Sequence, residues 1–326
     1  MVHLLRHKKL LACGLLLLAI STEAQDMDTI SYPSDIQISA AVEFNYGHHY
    51  QDGYSTLTDL PHITVGADIN LHRGWTITAE MEYEQFKEND EWQGTFAENY
   101  ATNKFYINKQ WRESFNLKTG IIDIPVGLTN AGGPALTIYD PVSESAILPM
   151  TWHSFGVALW GNVNRWRYEV GVYGQLQCPI SKSTFSGMAV RLDYRLMNHL
   201  NLGLSSYLGQ DQSIHAAFDF AYDAHGWMID GQYIYSNSAR MHSFGTEIGY
   251  NLLSSVHPEN DKQMILLPFV RIDRVYQGSS LSSRKYSCGI HLSPFSGCLI
   301  KIGYGVLHES CATTCRMLDF SAGFSF

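Results

Sequence analysis

The sequence predicts an all-β protein, a transmembrane antiparallel up-and-down β-barrel of sixteen strands with its longest loop after the fifth. Three observations predict it. Apolar and polar residues alternate from about residue 35 to the end of the chain. A period of two puts successive side chains on opposite faces of a strand. Aromatic residues make up 13% of the chain and charged residues only 16%. After the N-terminal segment, no apolar run reaches the length of a membrane-spanning helix.

The N-terminal segment has the three parts of a secretory signal. Arg6, Lys8 and Lys9 precede the apolar run 10–20, and Thr22 and Ala24 are small residues suited to cleavage. Residues 1–24 are therefore expected to be removed, with 25–326 forming one barrel domain. Leu10-Leu11-Ala12-Cys13 resembles a lipoprotein box, but the apolar run continues beyond Cys13 instead of ending before it.

The sixteen strands are predicted at 35–47, 60–72, 75–86, 99–110, 115–124, 153–162, 166–177, 185–196, 199–209, 213–224, 227–236, 240–252, 263–275, 284–293, 298–308 and 315–326. In HITVGADINL, Ile63, Val65, Ala67, Ile69 and Leu71 oppose His62, Thr64, Asp68 and Asn70. In WTITAEMEYE, Trp75, Ile77, Ala79, Met81 and Tyr83 oppose Thr76, Thr78, Glu80, Glu82 and Glu84. The segments WRYEVGV, MAVRLDYRL and IHAAFDFAYD repeat the pattern. Strands four, five, six, nine and twelve carry the weakest alternation. A soluble sandwich also alternates, but an open sheet of sixteen strands is larger than most tolerate.

The connections alternate too. Arg73-Gly74, Asn164-Arg165 and His225-Gly226 are short turns, whereas 47–60, 87–99, 126–152 and 177–184 are longer. With a periplasmic N-terminus, short turns fall inside and most longer loops outside, the asymmetry of outer-membrane barrels. The connection 253–262 is the exception. Trp75, Trp166 and Trp227 each follow a short turn, and Tyr83 and Tyr235 lie eight residues beyond the first and third of these. Eight residues extend about 26 Å along a strand. Tilted, that is about 20 Å of height, close to a lipid-facing band between two aromatic girdles. In lipid the backbone needs internal partners throughout, so the sheet must close and bring 315–326 beside the first strand. A closed sheet of this size encloses an aqueous channel, too wet and charged for a packed core.

The interior should then carry the polar parity. Glu80, Glu82 and Glu84 are expected on one wall, and Arg167, Arg191, Arg195 and Arg271 on others. Rings of charge select ions by sign, and opposed walls produce a transverse field. The net charge of -9 argues against nucleic-acid binding. Cys178, Cys288, Cys298, Cys311 and Cys315 remain after cleavage, an odd number that excludes a complete disulfide framework. Cys311 with Cys315, or Cys288 with Cys298, are spaced to pair, but small apolar roles are favoured. The 14 histidines are scattered, with His48-His49 the only adjacent pair. His153 and Ser154 point to opposite faces and cannot form a dyad. No catalytic motif, metal site or cofactor site is predicted, and the chain does not read as an enzyme.

The stretch LKTGIIDIPVGLTNAGGPALTIYDPVSESAILPMTWHSFGVALWG, residues 117–161, goes beyond pattern. Its Ile124-Pro125-Val126-Gly127-Leu128 and its Leu148-Pro149-Met150-Thr151-Trp152-His153 flank a long loop. LPFVRIDRV, residues 267–275, adds a Pro-Phe-x-Arg core. Together these resemble the phosphate-selective porin (porin O and P) family of Bacteroidetes-type outer membranes. The resemblance implies a trimeric diffusion pore in the outer membrane of a Gram-negative bacterium, passing small hydrophilic solutes or ions. It implies that loop 126–152 folds inward as a constriction. That loop contains no Lys or Arg, only Asp140 and Glu144 as charged residues, so phosphate selectivity does not carry over. Phe320, Phe324 and the terminal Phe326 resemble the aromatic signal recognised by barrel-assembly machinery. The competing reading is a surface adhesion or binding protein that uses the barrel as a scaffold in outer-membrane lipid.

Overall fold

The computed structural model describes residues 35–326 except 52, 96–97, 134, 179–180, 184–185, 239, 255–263 and 311–313. The predicted signal sequence 1–24, Cys13 and Cys311 lie outside the described residues, as does most of the connection 253–262.

Among the described residues, sixteen strands form one closed antiparallel sheet. They are β1 (Asp35–Tyr50), β2 (Tyr54–Asn70), β3 (Trp75–Glu88), β4 (Tyr100–Arg112), β5 (Phe115–Asp123), β6 (His153–Val163), β7 (Trp166–Gly174) and β8 (Gly187–Met197). The circuit continues with β9 (Leu200–Gly209), β10 (Ile214–Ala224), β11 (Trp227–Ser236), β12 (Met241–Tyr250), β13 (Ile265–Gln277), β14 (Ser280–Ser293), β15 (Cys298–Glu309) and β16 (Cys315–Ser325). A two-residue strand, Glu91–Trp92, adds to β3, and Leu176–Cys178 pairs separately with Ser181–Ser183.

Closure is made by β16, which pairs with β15 on one side and β1 on the other. The seam runs from Ala41 opposite Ser325 to Tyr50 opposite Arg316. The Phe326 N–H donates to the Ala40 carbonyl at 2.8 Å, and the Ala40 N–H donates back at 3.1 Å. Among the described residues the barrel sheet has no open edge, which is what hydrocarbon surroundings require.

Alternation turns the apolar residues outward. Ile38, Val65, Val172, Leu204, Phe218 and Leu318 are all exposed on the outer face. A soluble protein rarely exposes a continuous apolar surface of such extent, whereas a barrel in lipid needs one. No helix among the described residues is long and apolar enough to cross a membrane.

Two expectations change. The predicted loop 47–60 is mostly strand, since β1 continues to Tyr50 and β2 begins at Tyr54. A register shift between Asp59 and His62 breaks the alternation there, hiding the upper part of β2 from a period-two reading. The interior is also not uniformly wet. Ile124, Val126, Leu148 and Trp152 pack against inward-facing Ala158, Tyr173, Ala189, Tyr207, Ala217 and Ile234 of β6 to β11. Leu136 packs on Leu267 and Phe269 of β13 in a second apolar cluster. Cys288, Cys298 and Cys315 are free thiols. Cys288 lies opposite Tyr304 and Cys298 opposite Phe324, so Cys288 and Cys298 are not joined.

Candidate functional site

The long loop leaves β5 at Asp123 and turns into the barrel. Its neck is closed by the Ile124 N–H donating to the Trp152 carbonyl at 2.7 Å. Gly127 follows in the left-handed region, at φ 85. A Cβ there would also strike the Glu144 carboxylate and Leu148, so both conformation and space call for glycine. The Gly127 N–H donates to Ser205 Oγ at 3.2 Å, and its carbonyl accepts from Arg191 Nη1 at 3.2 Å.

Further along, a helical turn α1 (Val142–Ser145) carries Ser143 and Glu144 into the wall, where both are fully buried. Glu144 was expected on the constriction. It is an anchor instead, accepting from the Thr129 N–H at 3.1 Å and from Gln232 Nε2 at 2.8 Å. Burial raises its pKa, opposed by those hydrogen bonds. A charge committed to neutral donors inside the loop's packing cannot act on a passing ion.

Arg271 and Arg191 are likewise withdrawn. Arg271 Nη1 lies 2.9 Å from Glu247 Oε2, and its Nε lies 3.0 Å from Asp273 Oδ1. These carboxylates continue into the loop. Ser143 Oγ donates to Asp273 Oδ1 at 2.6 Å, and the Leu136 N–H donates to Glu247 Oε1 at 2.9 Å. Ser243 Oγ donates to the Ser143 carbonyl. Arg191 Nη2 meets both Asp219 and Asp193 at 2.8 Å. Lys301 Nζ reaches the carbonyls of Ala135 and Thr137 at 3.3 Å. The loop is thus clamped to β8 through β13 and to β15 by paired charges and hydrogen bonds.

The opposite wall is different. Glu80, Glu82 and Glu84 face inward from β3. Glu80 is partnered by Lys104 of β4 at 3.1 Å. Glu82 and Glu84 meet His62 of β2 at 2.6 Å and 3.2 Å. Asp140, on the loop, is solvent-exposed and within electrostatic reach of Glu84. Desolvation by the surrounding barrel raises the Asp140 pKa above the usual carboxylate range. Tyr139 beside it is held neutral by burial and by Asp319 and Asp59. The groups between loop and wall on this side are therefore mainly acidic.

Arg167 and Arg195 lie elsewhere. Both are exposed to a cavity of about 570 Å³ at the end of the barrel bearing the Asn164–Arg165 turn, shared with Arg165 and with Gly132 and Gly133 of the loop. The basic lining expected from sequence is thus divided into two buried clamps and one exposed vestibule.

The aromatic positions all lie on the outer face. Trp166, Trp227 and Tyr235 are exposed. Trp75 is half-buried beneath Lys109 Nζ, 5.2 Å from its ring centroid, and Tyr83 donates to Gln85. Phe320, Phe324 and Phe326 also point outward. His48 and His49 diverge, His48 stacking on Tyr54 and His49 reaching Asp319 Oδ1 at 3.2 Å. The residues that sequence reasoning did not single out are Asp59 and His62. Three positions apart, they should face opposite ways, and only the bulge brings both inward.

No protein-family model matches this chain. It is 21% identical over 297 residues to an uncharacterized protein of Aquifex aeolicus (strain VF5), a match covering 84% of this chain. The match spans 62% of that relative's length. Solved porin structures share the fold. The OmpF of Salmonella typhi, in complex with daunomycin, superposes with a TM-score of 0.69 at 11% identity over 92% of this chain and 100% of that one. The low-pH structure of Pseudomonas putida OprB gives 0.63 at 8% identity, over 89% and 92%. A mutant of the Rh. blastica porin gives 0.61 at 11% identity, over 90% and 100%. The chain shares the barrel fold of these proteins.

Proposed function

We propose that this protein is a passive outer-membrane diffusion pore for small hydrophilic solutes, with a preference for cations. One observation carries the reading. The long loop is fixed inside the barrel against β8 to β13, which leaves Asp140 within electrostatic reach of Glu84, on a wall that also bears Glu80 and Glu82. Buried Arg191 and Arg271 are already paired, so little free positive charge opposes that wall at the level of the loop. Charge lining a pore selects by sign. Phosphate selectivity is not part of this proposal, because an anion would meet carboxylates where it needs guanidinium or ammonium groups.

Planar-bilayer recording on purified, refolded protein tests it. Stepwise conductance is expected, with a reversal potential in a potassium chloride gradient that favours potassium. Absence of conductance from heat-modifiable, folded protein would overturn the pore reading and leave the adhesion scaffold. Conductance with anion preference would overturn the selectivity.

A further inference from the structure

We propose that Asp59, His62, Glu82 and Glu84 form a binding site for a zinc-like divalent cation on the inner wall of β2 and β3. His62 lies directly opposite Glu84 in the strand register. Its Nε2 is 2.6 Å from Glu82 Oε1 and 3.2 Å from Glu84 Oε1. Its Nδ1 is 2.9 Å from Asp59 Oδ2. Donor atoms of Asp59, His62 and Glu84 all lie within 4.8 Å of one another.

Two further features separate this from a chance acidic cluster. A metal-ligating imidazole is usually oriented by a carboxylate on its other nitrogen, and Asp59 has that position. Asp59 is itself fixed, at 2% exposure, by Asn45 Nδ2 at 2.9 Å. Asn103 Nδ2 likewise holds the far oxygen of Glu82 at 2.7 Å. Secondly, Asp59 Oδ1 is buried with no hydrogen-bond partner among the described residues. A buried carboxylate oxygen without a donor is costly, and a cation on Nε2 offsets that cost through the ring, because it strengthens the Nδ1–H hydrogen bond to the same carboxylate.

The dimensions fit. Tetrahedral zinc with ordinary Zn–N and Zn–O bonds separates its ligand atoms by about 3.4 Å. The Nε2 to Glu84 separation is close to this, and Glu82 must retreat by less than about 1 Å. Without metal, Nε2 and Nδ1 each hydrogen-bond a carboxylate oxygen, of Glu82 and of Asp59. Binding replaces the Nε2 hydrogen bond by a metal–nitrogen bond, and a proton held on Nε2 passes to solvent. The charged groups facing His62 are Asp59 of β2, Glu82 and Glu84 of β3, and Asp140 of the loop by way of Glu84. A nitrogen donor among oxygens favours zinc over magnesium. This site goes beyond the pore reading and does not depend on it.

Calorimetric titration of folded, cysteine-alkylated protein with zinc chloride tests the proposal without any conductance measurement. Saturable binding of one zinc per chain is expected, not competed by equal magnesium. His62→Ala and Glu84→Gln should each weaken binding at least 10-fold, and Asp59→Asn by about 10- to 100-fold. No saturable binding, equal competition by magnesium, or unchanged binding in His62→Ala would overturn it. If His62→Ala does not fold, Glu84→Gln decides by the same criterion.

Discussion

Arg271 of β13 and Glu247 of β12 meet at 2.9 Å inside the barrel, and both are almost wholly removed from solvent. Their contact is the foot of the inward loop. Glu247 accepts from the Leu136 N–H, while Asp273, also held by Arg271, accepts from Ser143. One guanidinium therefore bridges two carboxylates that each hold a different part of the loop.

Removing that cation should be severe. Arg271→Ala leaves Glu247 and Asp273 buried without their counter-charge, a situation that costs about 3–5 kcal/mol. Arg167→Ala, at an exposed position, should change stability by less than about 0.5 kcal/mol. Urea unfolding of the two variants in lipid vesicles, followed by loss of heat-modifiable migration, is the comparison. Equal midpoints would remove Arg271 from the account of loop anchoring.

Glu144→Ala should loosen the loop with little effect on the barrel. The Thr129 N–H and Gln232 lose their acceptor, and each buried donor left unsatisfied costs about 1–3 kcal/mol. Hydrogen exchange should rise in residues 126–152 while the strands stay protected. Exchange that rises evenly across the barrel would contradict this division.

Cation preference should fall on acidification, starting above the ordinary carboxylate range of about 4. Asp140 is charged above its pKa and neutral below it, and desolvation by the surrounding barrel has moved that pKa upward. Its charge is therefore lost at a higher pH than that of a free aspartate. Asp140→Asn should reduce the preference at neutral pH and flatten the upper part of the profile. Reversal potentials measured from pH 8 to pH 4 check both. A profile in Asp140→Asn identical to that of the native protein would assign the selectivity elsewhere.

Arg195→Ala with Arg167→Ala should shift selectivity further toward cations, because both face the open vestibule at one end of the barrel. Arg191→Ala should instead act through stability, since it leaves Asp219 unpaired. Reversal potential and urea midpoint, measured on both proteins, separate the two roles.

Phe326→Ala separates seam from signal. The substitution keeps the backbone pair with Ala40, so the closed sheet should retain its stability. If the terminal aromatic is read by assembly machinery, cells should accumulate less folded barrel while protein refolded in vitro remains normal. Equal losses in both would make Phe326 a structural residue only.

The sequence by itself determined the closed sheet, the strand order and the face each residue takes in nearly every strand. Those follow from period-two alternation and short turns, which are local, and from the demand that lipid leave no backbone group unpaired. It also located the long loop and showed that the loop has no basic residue. Only the tertiary structure decided what the interior charges do. Glu144, Arg191 and Arg271 have the same inward parity or loop position as residues that face water, and nothing local distinguishes a clamp from a lining charge. Their partners lie far along the chain, as with Ser143 and Asp273, 130 positions apart. The grouping of Asp59 with His62 was hidden for a related reason. A bulge reverses side-chain parity, and its presence is fixed by pairing with the neighbouring strands, not by the residues of β2 alone.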